Sequence, residues 1–358
     1  MNRFCVNRDN FSFKELLGLS LVHKYISGRL LRFADDKGII STLASIGSFT
    51  LEDAIAILQR KCDYVLADKV RIRMVKVLID FLCECGIAVN HNGHYSYSPA
   101  GDNRYELSMD QVVLAKDLFK GQVDFFDWCL DYAEEFLRGE PPLCGFDNSS
   151  ATMWEAFLGN AEFDFARSVL AQLMFSKPGE KTCILDLCYG PGFDIAAIQN
   201  NSAGAVVTAL DFKDVFKQQA LGRAPDPASI RWVDAMNWKG FGNELPFSTG
   251  TFDCVFFACA DPYINNEVRR FVYSDICRVI KAGGSLNILS HSYPDHGKEF
   301  VTDLWVRRGT LCHDFAESVC EGWNGFYDAD KSLELFESVG FKIGAVMMNA
   351  SIWRLDKP

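Results

Sequence analysis

No segment says more about the fold of this chain than Ile184-Leu185-Asp186-Leu187-Cys188-Tyr189-Gly190-Pro191-Gly192-Phe193-Asp194. An apolar run of strand length meets an acidic residue, passes through a turn with two glycines, and continues into a helical pattern. A backbone that approaches a nucleoside or phosphate closely needs glycine at such a turn, because a Cβ would occupy the ligand's space. Position 188, where nucleotide-binding loops of this shape usually carry their first glycine, is a cysteine. The loop predicts a bound cofactor with an altered fit.

Around this loop the sequence alternates between two periodicities. Beyond Gly179, apolar segments at 182–187, 205–210, 252–259 and 285–290, with a weaker one at 229–233, read as strands. Helical patterns lie between them, as in Val268, Phe271, Val272, Ile276, Val279 and Ile280. A helix over 329–338 and β-like segments at 341–348 and 351–354 close the chain. The alternation predicts an α/β fold, a mostly parallel sheet with helices on both faces and ligands at the carboxyl ends of the strands.

The first half of the chain has a different grammar. Thr50 is a candidate N-cap, with acids in the first turn after it. A helix is expected over Asp68–Cys85, stopped by Gly86, and a hairpin turns through Asn92-Gly93. Helices followed by a two-stranded wing suggest a winged-helix-like unit. Further helices fill 105–175, with a break near Gly139-Glu140-Pro141-Pro142. The expected division is 1–104, 105–178 and 179–358.

Composition narrows the function classes. At 358 residues the chain can hold two cores. Its net charge of −11 opposes a nucleic-acid-binding surface. The block Arg60, Lys61, Lys69, Arg71, Arg73 and Lys76 nevertheless keeps a ligand-sensing winged-helix regulator in view as a non-enzymatic alternative. No apolar run reaches the roughly 18 residues of a membrane span, and the first residues show no signal-peptide core. Thirteen scattered cysteines read as reduced thiols of a cytoplasmic protein. Cys83 and Cys85 lack a second ligand pair, so no metal site is expected.

Five features occur in order along the strand pattern: Asp186 before Gly190 and Gly192; Asp211, with Phe212, at the end of the second strand; Asp234-Ala235-Met236 at the end of the third; the fourth strand at Phe252; and Lys281-Ala282-Gly283-Gly284. A carboxylate about 20 residues beyond the glycine turn is suited to the two hydroxyls of a ribose. In these features, in Trp154-Glu155-Ala156-Phe157 and in its N-terminal helices with a hairpin, the chain resembles class I S-adenosylmethionine-dependent methyltransferases. Within that class it looks most like the two-domain small-molecule O-methyltransferases of the acetylserotonin and caffeate type.

The resemblance implies a Rossmann-like, mostly parallel seven-stranded sheet and an N-terminal, mainly helical dimerisation domain. It therefore implies a homodimer acting on a small-molecule acceptor, while the net charge and the lack of a long apolar run predict no nucleic-acid or membrane partner. It also implies S-adenosylmethionine as cofactor. Asp186, Cys188, Gly190 and Gly192 would flank its methionine part, Asp211 and Phe212 its ribose, and Asp234, Ala235 and Met236 its adenine.

The same resemblance exposes a departure. The family places a catalytic histidine just after the fourth strand, and the matching stretch here is Ala258-Cys259-Ala260-Asp261-Pro262-Tyr263. Alanine stands at position 260. Three explanations stay open: an acceptor needing no base, such as a thioether, a thiolate or an ionised phenol or enol; a different base, with His291 first and His296 and His313 near it in sequence; or a non-methylating reaction on the same fold. Asp261 is expected to orient the acceptor. Phe125, Phe126, Trp128, Trp154, Phe157, Phe163 and Phe165 read either as roofing for an apolar acceptor pocket where the domains meet or as core. Cys188, Cys254 and Cys259 read as packing residues.

Overall fold

A computed structural model describes residues 13–98, 107–175, 182–202, 204–293, 304–348 and 350–358. Gly179 and His296 lie outside the described residues, as does the N-terminal segment before residue 13. In chain order, α1 (Phe13–Asp36) and α2 (Ile39–Ala44) lead to strand β1 (Ser48–Phe49), α3 (Leu51–Cys62) and α4 (Lys69–Glu84). The hairpin β2 (Ala88–His91) and β3 (His94–Tyr97) comes next, and then α5 (Met109–Leu118), α6 (Lys120–Leu137), α7 (Ala151–Leu158) and α8 (Ala161–Met174). The alternating part runs β4 (Thr182–Leu187), α9 (Phe193–Asn201), β5 (Ala205–Leu210), α10 (Lys217–Arg223), β6 (Ile230–Trp232), β7 (Phe252–Ala258), α11 (Asn266–Val279), β8 (Ile280–Leu289) and β9 (Ser292–Tyr293). It ends with α12 (Leu304–Glu317), β10 (Tyr327–Asp328), α13 (Ala329–Ser338), β11 (Lys342–Met347) and β12 (Ile352–Asp356).

Two compact units result, one holding 12–145 and 302–325, the other 146–301 and 326–358. Neither edge at 104 or 178 coincides with them: α5 and α6 belong to the helical unit, α7 and α8 to the sheet unit, and the helical unit also takes in α12 from late in the chain. Sequence order hides this because α12 is an excursion from the strand–helix alternation. In the helical unit Thr50 caps α3 in a reciprocal capping box with Asp53, and Asp68 caps α4 through Val70 and Arg71. Strand β1 joins the hairpin to make a three-stranded antiparallel sheet, β1-β3-β2. Within the basic block, Arg71 pairs with Asp68, Arg73 with Asp314 and Lys76 with Asp80, so much of its charge is neutralised locally.

The sheet unit carries a seven-stranded sheet in the order β11-β12-β8-β7-β4-β5-β6. Strands β8, β7, β4, β5 and β6 are parallel, and the terminal hairpin β11–β12 adds the antiparallel edge. The central strands β4 and β7 are near-continuous apolar runs because both their faces are covered. One side buries Phe257, Tyr273 and Trp353, the other Leu170, Ile195 and Phe256. The strand order reverses between β4 and β7, which places a crevice at their carboxyl ends. Among the described residues no helix is long and apolar enough to cross a membrane.

Candidate active site

The carboxyl end of β4 gathers most of the residues singled out by the sequence. Leu187 is the last strand residue, and Cys188 then takes a left-handed conformation with φ 63°. Its N–H donates to the Leu210 carbonyl of the adjacent strand (2.7 Å), which pins the start of the loop to the end of β5. Cys259 repeats this at the end of β7, with φ 59° and its N–H on the Leu289 carbonyl at 2.7 Å. An L-residue in this region costs roughly 1–2 kcal/mol, so both cysteines hold strained backbone at the edge of the crevice. Gly192 has φ 87°, and a Cβ there would lie 2.5 Å from the Ala220 Cα, so α10 packs against a bare backbone. Around Gly190 the space is open: a Cβ would meet nothing closer than 4.0 Å.

Three carboxylates converge behind this loop. Asp186 is fully buried, and neither carboxylate oxygen has a hydrogen-bond partner among the described residues. Burial, then the neighbouring charges of Asp194 and Asp211, hold its carboxyl well above the ordinary range. Asp211 directly follows β5 and accepts from the Gly190 N–H (3.1 Å) and the Phe212 N–H (2.8 Å). Burial raises it to about 6, against the lowering effect of those N–H bonds. Asp194, at the start of α9, is paired with the buried Arg167 of α8, whose guanidinium also donates to the Leu158 carbonyl at 2.6 Å. The Cys188 thiol, partly buried beside the three acids, is pushed far up by burial and then by their charge, and stays neutral near pH 7.

Asp234 is exposed, and its carboxylate accepts from the Met236 N–H at 2.8 Å, capping a short turn over Ala235–Asn237. The Met236 side chain is 85% exposed, at the outer rim of the group. Phe212 is half-buried and meets Phe146 edge-on at 5.8 Å.

The stretch aligned with the usual catalytic motif lies at the end of β7. Asp261 is buried, and its carboxylate is held by the Arg269 guanidinium, with two bonds at 3.0 Å, and by the Tyr273 hydroxyl. Arg269 in turn lies over the Tyr327 ring at 3.7 Å. A carboxylate committed in this way fixes the turn over Asp261–Tyr263. Tyr263 packs edge-on against Phe146 at 4.9 Å, and Phe146 stacks on Trp154 at 5.1 Å. His291 stands two residues past Leu289, which pairs with Ala258, so it leaves the sheet at the same end as Ala260. Its ring sits 5.3 Å from Phe326 and 6.2 Å from Phe163, with the Ser351 hydroxyl 3.4 Å from Nδ1.

Other candidates are spread elsewhere. His313 is buried in the helical unit, bonded to Glu317 at 2.6 Å and packed against Phe126 and Trp323. Phe125 and Phe126 are core residues of α6, while Trp128 is exposed. Trp154, Phe157 and Phe163 form one continuous aromatic wall in the sheet unit, and Phe165 packs against the core of the same unit. Cys254 is buried, its thiol 3.5 Å from the Ser285 hydroxyl.

Sequence reasoning misses the clamp around the loop. Arg223 of α10 donates to the Pro191 carbonyl (2.5 Å) and to Glu155 of α7 (2.6 Å), and lies 3.9 Å over the Phe193 ring. Arg167 escapes it in the same way. Its one local signal is an arginine on an otherwise apolar helix face, and its partner Asp194 is 27 residues away.

Comparison with known proteins speaks to the domain family and the fold. Residues 184–284 match the family described as "Methyltransferase domain". An uncharacterized methyltransferase of Synechocystis sp. is 32% identical over 119 residues, which are 33% of this chain and 50% of the relative, so the chain spans half the length of the curated protein it matches. Among solved structures, the CurJ carbon methyltransferase aligns with a TM-score of 0.60 at 13% identity over 95% of this chain and 91% of that one. The DszA carbon methyltransferase aligns with 0.60 at 14% over 98% and 95%. An O-methyltransferase family 2 protein from Planctomyces limnophilus, solved with apigenin, aligns with 0.54 at 13% over 97% and 95%. At these identities the structures speak for the fold.

Proposed function

We propose that the protein, whose residues 184–284 match the methyltransferase-domain family, transfers a methyl group from S-adenosylmethionine to a small acceptor needing little general-base help. The observation that carries the cofactor half of this reading is Asp186. A fully buried carboxylate with two unpartnered oxygens is costly unless a ligand supplies the missing partner. It stands behind a loop that is open at Gly190 and beside a second carboxylate, Asp211. A cationic amino acid on a ribose fits this donor-poor, acidic crevice. When bound, S-adenosylmethionine supplies an electrophilic methyl on a sulfonium.

The chain's own residues then have separate tasks. Asp211 would accept the ribose hydroxyls while keeping its bond to Gly190. Asp186 and the loop N–H groups would hold the amino-acid end. Asp234, Ala235 and Met236 would border the base. Asp261, spent on Arg269 and Tyr273, acts as a positioning residue that sets Tyr263 and the aromatic wall. In-line displacement at a methyl gains most from proximity and orientation, which such a rigid wall provides.

The acceptor half rests on the turn after β7. Ala260 cannot take a proton and Asp261 is occupied, which favours a thioether, a thiolate, or a phenol or enol already ionised. Among the described residues His291 is the candidate base at this end of the sheet. Similar folds serve both carbon and oxygen methyltransferases, so the fold leaves the acceptor atom to the site. The N-terminal helices are proposed to form a homodimer, consistent with Met109, Val113 and Leu114 exposed on α5.

The test is incubation with methyl-labelled S-adenosylmethionine and fractionated metabolites. Stoichiometric S-adenosylhomocysteine and one labelled product are expected. Binding without release of S-adenosylhomocysteine from any fraction would contradict methyl transfer. His291→Ala should leave turnover near wild type for a pre-ionised acceptor, and a loss of about 100-fold or more, on the order of a general base's contribution, would make His291 the base.

A further inference from the structure

The helical unit contains a group of thiols that the proposed activity does not use. Cys144 lies in the segment after α6, and Cys320 just beyond α12. The two form an isolated parallel β-bridge: Leu143 N–H donates to the Val319 carbonyl and Glu321 N–H to the Cys144 carbonyl, each at 2.8 Å. Their Sγ atoms are 3.3 Å apart and buried. Cys129 of α6, also buried, hydrogen-bonds with Cys320, so three thiols meet at one place although 176 residues separate Cys144 from Cys320.

We propose that Cys144 and Cys320 are a modification site, a dithiol that closes to a reversible disulfide within the helical unit. Adjacent bridged strands lie roughly 4.8 Å apart, inside the window of about 4.4–6.8 Å between Cα atoms that a disulfide accepts. The sulfurs need to approach by little more than about 1 Å to reach the S–S bond length of about 2.05 Å. The backbone is already paired on both sides, so closure costs little rearrangement. The oxidant is a small peroxide or a low-molecular-weight disulfide. With hydrogen peroxide the two thiols give up two protons and two electrons, one S–S bond forms, the O–O bond breaks, and two waters leave. Burial raises the Cys320 thiol well above its ordinary range, so the reaction is slow near pH 7 and faster in mild alkali, where more thiolate is present.

The experiment uses the native full chain, treated with hydrogen peroxide or diamide, alkylated, digested and mapped by mass spectrometry without reduction. A peptide pair joined through Cys144 and Cys320, two hydrogens lighter than the sum of its parts and released by dithiothreitol, is expected. Oxidation should also raise Tm in the wild type and leave it unchanged in Cys144→Ser. A linkage of Cys129 to Cys320, or oxidation to sulfinic acid with no linkage, would overturn the proposal. The mapping is done on the wild-type protein, so the outcome does not depend on whether the serine variant folds.

Discussion

Asp211 is pulled in two directions: burial raises its carboxyl to about 6, while the N–H groups of Gly190 and Phe212 favour the ionised form. A carboxyl whose pKa is raised by folding favours the native state while protonated. The contribution of Asp211 is therefore full below its unfolded value of about 3.9 and is lost as pH rises through about 6, a swing of roughly 3 kcal/mol at about 1.4 kcal/mol per unit. Cofactor binding runs the other way, because the ionised form is the better acceptor for ribose hydroxyls. Affinity for S-adenosylmethionine should rise between about pH 5 and 7.5 and then level off, and Asp211→Asn should flatten the profile. Calorimetric titration across this range checks both, and a pH-independent wild-type affinity would contradict them. Cys188 offers a second test. Its φ of 63° suits glycine, so Cys188→Gly should relieve about 1 kcal/mol of strain and raise Tm in the absence of cofactor. A lower Tm would mean that the packing of the thiol outweighs the strain. The cysteine itself is legible in the sequence, but its left-handed backbone is not, since only a Gly or Asn would signal it.

The strand–helix grammar is legible almost to the residue. Strands at 182–187 and 205–210 and the helix at 329–338 lie where the apolar periodicity puts them, because both sheet faces are covered and the runs are unbroken. Strand β8 begins at Ile280, ahead of the expected start at 285, since Lys281-Ala282-Gly283-Gly284 reads as a turn but is carried into the strand. Side-chain pairs between elements are illegible for a different reason. Arg269 and Asp261 sit on consecutive elements, yet nothing in the spacing says that a buried guanidinium holds the turn after β7. Arg269→Met should remove the cationic partner of Asp261 and leave its buried carboxylate with the Tyr273 hydroxyl, at a cost of about 3–5 kcal/mol. Chemical denaturation measures this, and a change below about 1 kcal/mol would show that the network is not needed to hold the turn.

The sequence predicts a helical part and a Rossmann-like part, and both are present. Sequence order does not convey that the helical unit recruits α12, because the pairing of Arg307 with Glu84 spans 223 residues. The exposed stripe Met109, Val113 and Leu114 on α5 bears on assembly. Light scattering at micromolar concentration should give twice the 40.2 kDa chain mass, and Met109→Glu with Val113→Glu should shift it toward the monomer. A monomeric wild type would contradict the proposed homodimer. Whether the acidic crevice at the ends of β4 and β5 holds S-adenosylmethionine is decided by isothermal titration of the wild-type protein beside Asp211→Ala at about pH 7.5, where Asp211 is ionised. Saturable binding at one site per chain, weakened at least about tenfold in the variant, is expected from the loss of a charge-assisted bond worth about 1.5–3 kcal/mol. No measurable binding to the wild type, or equal affinity in both proteins, would contradict it.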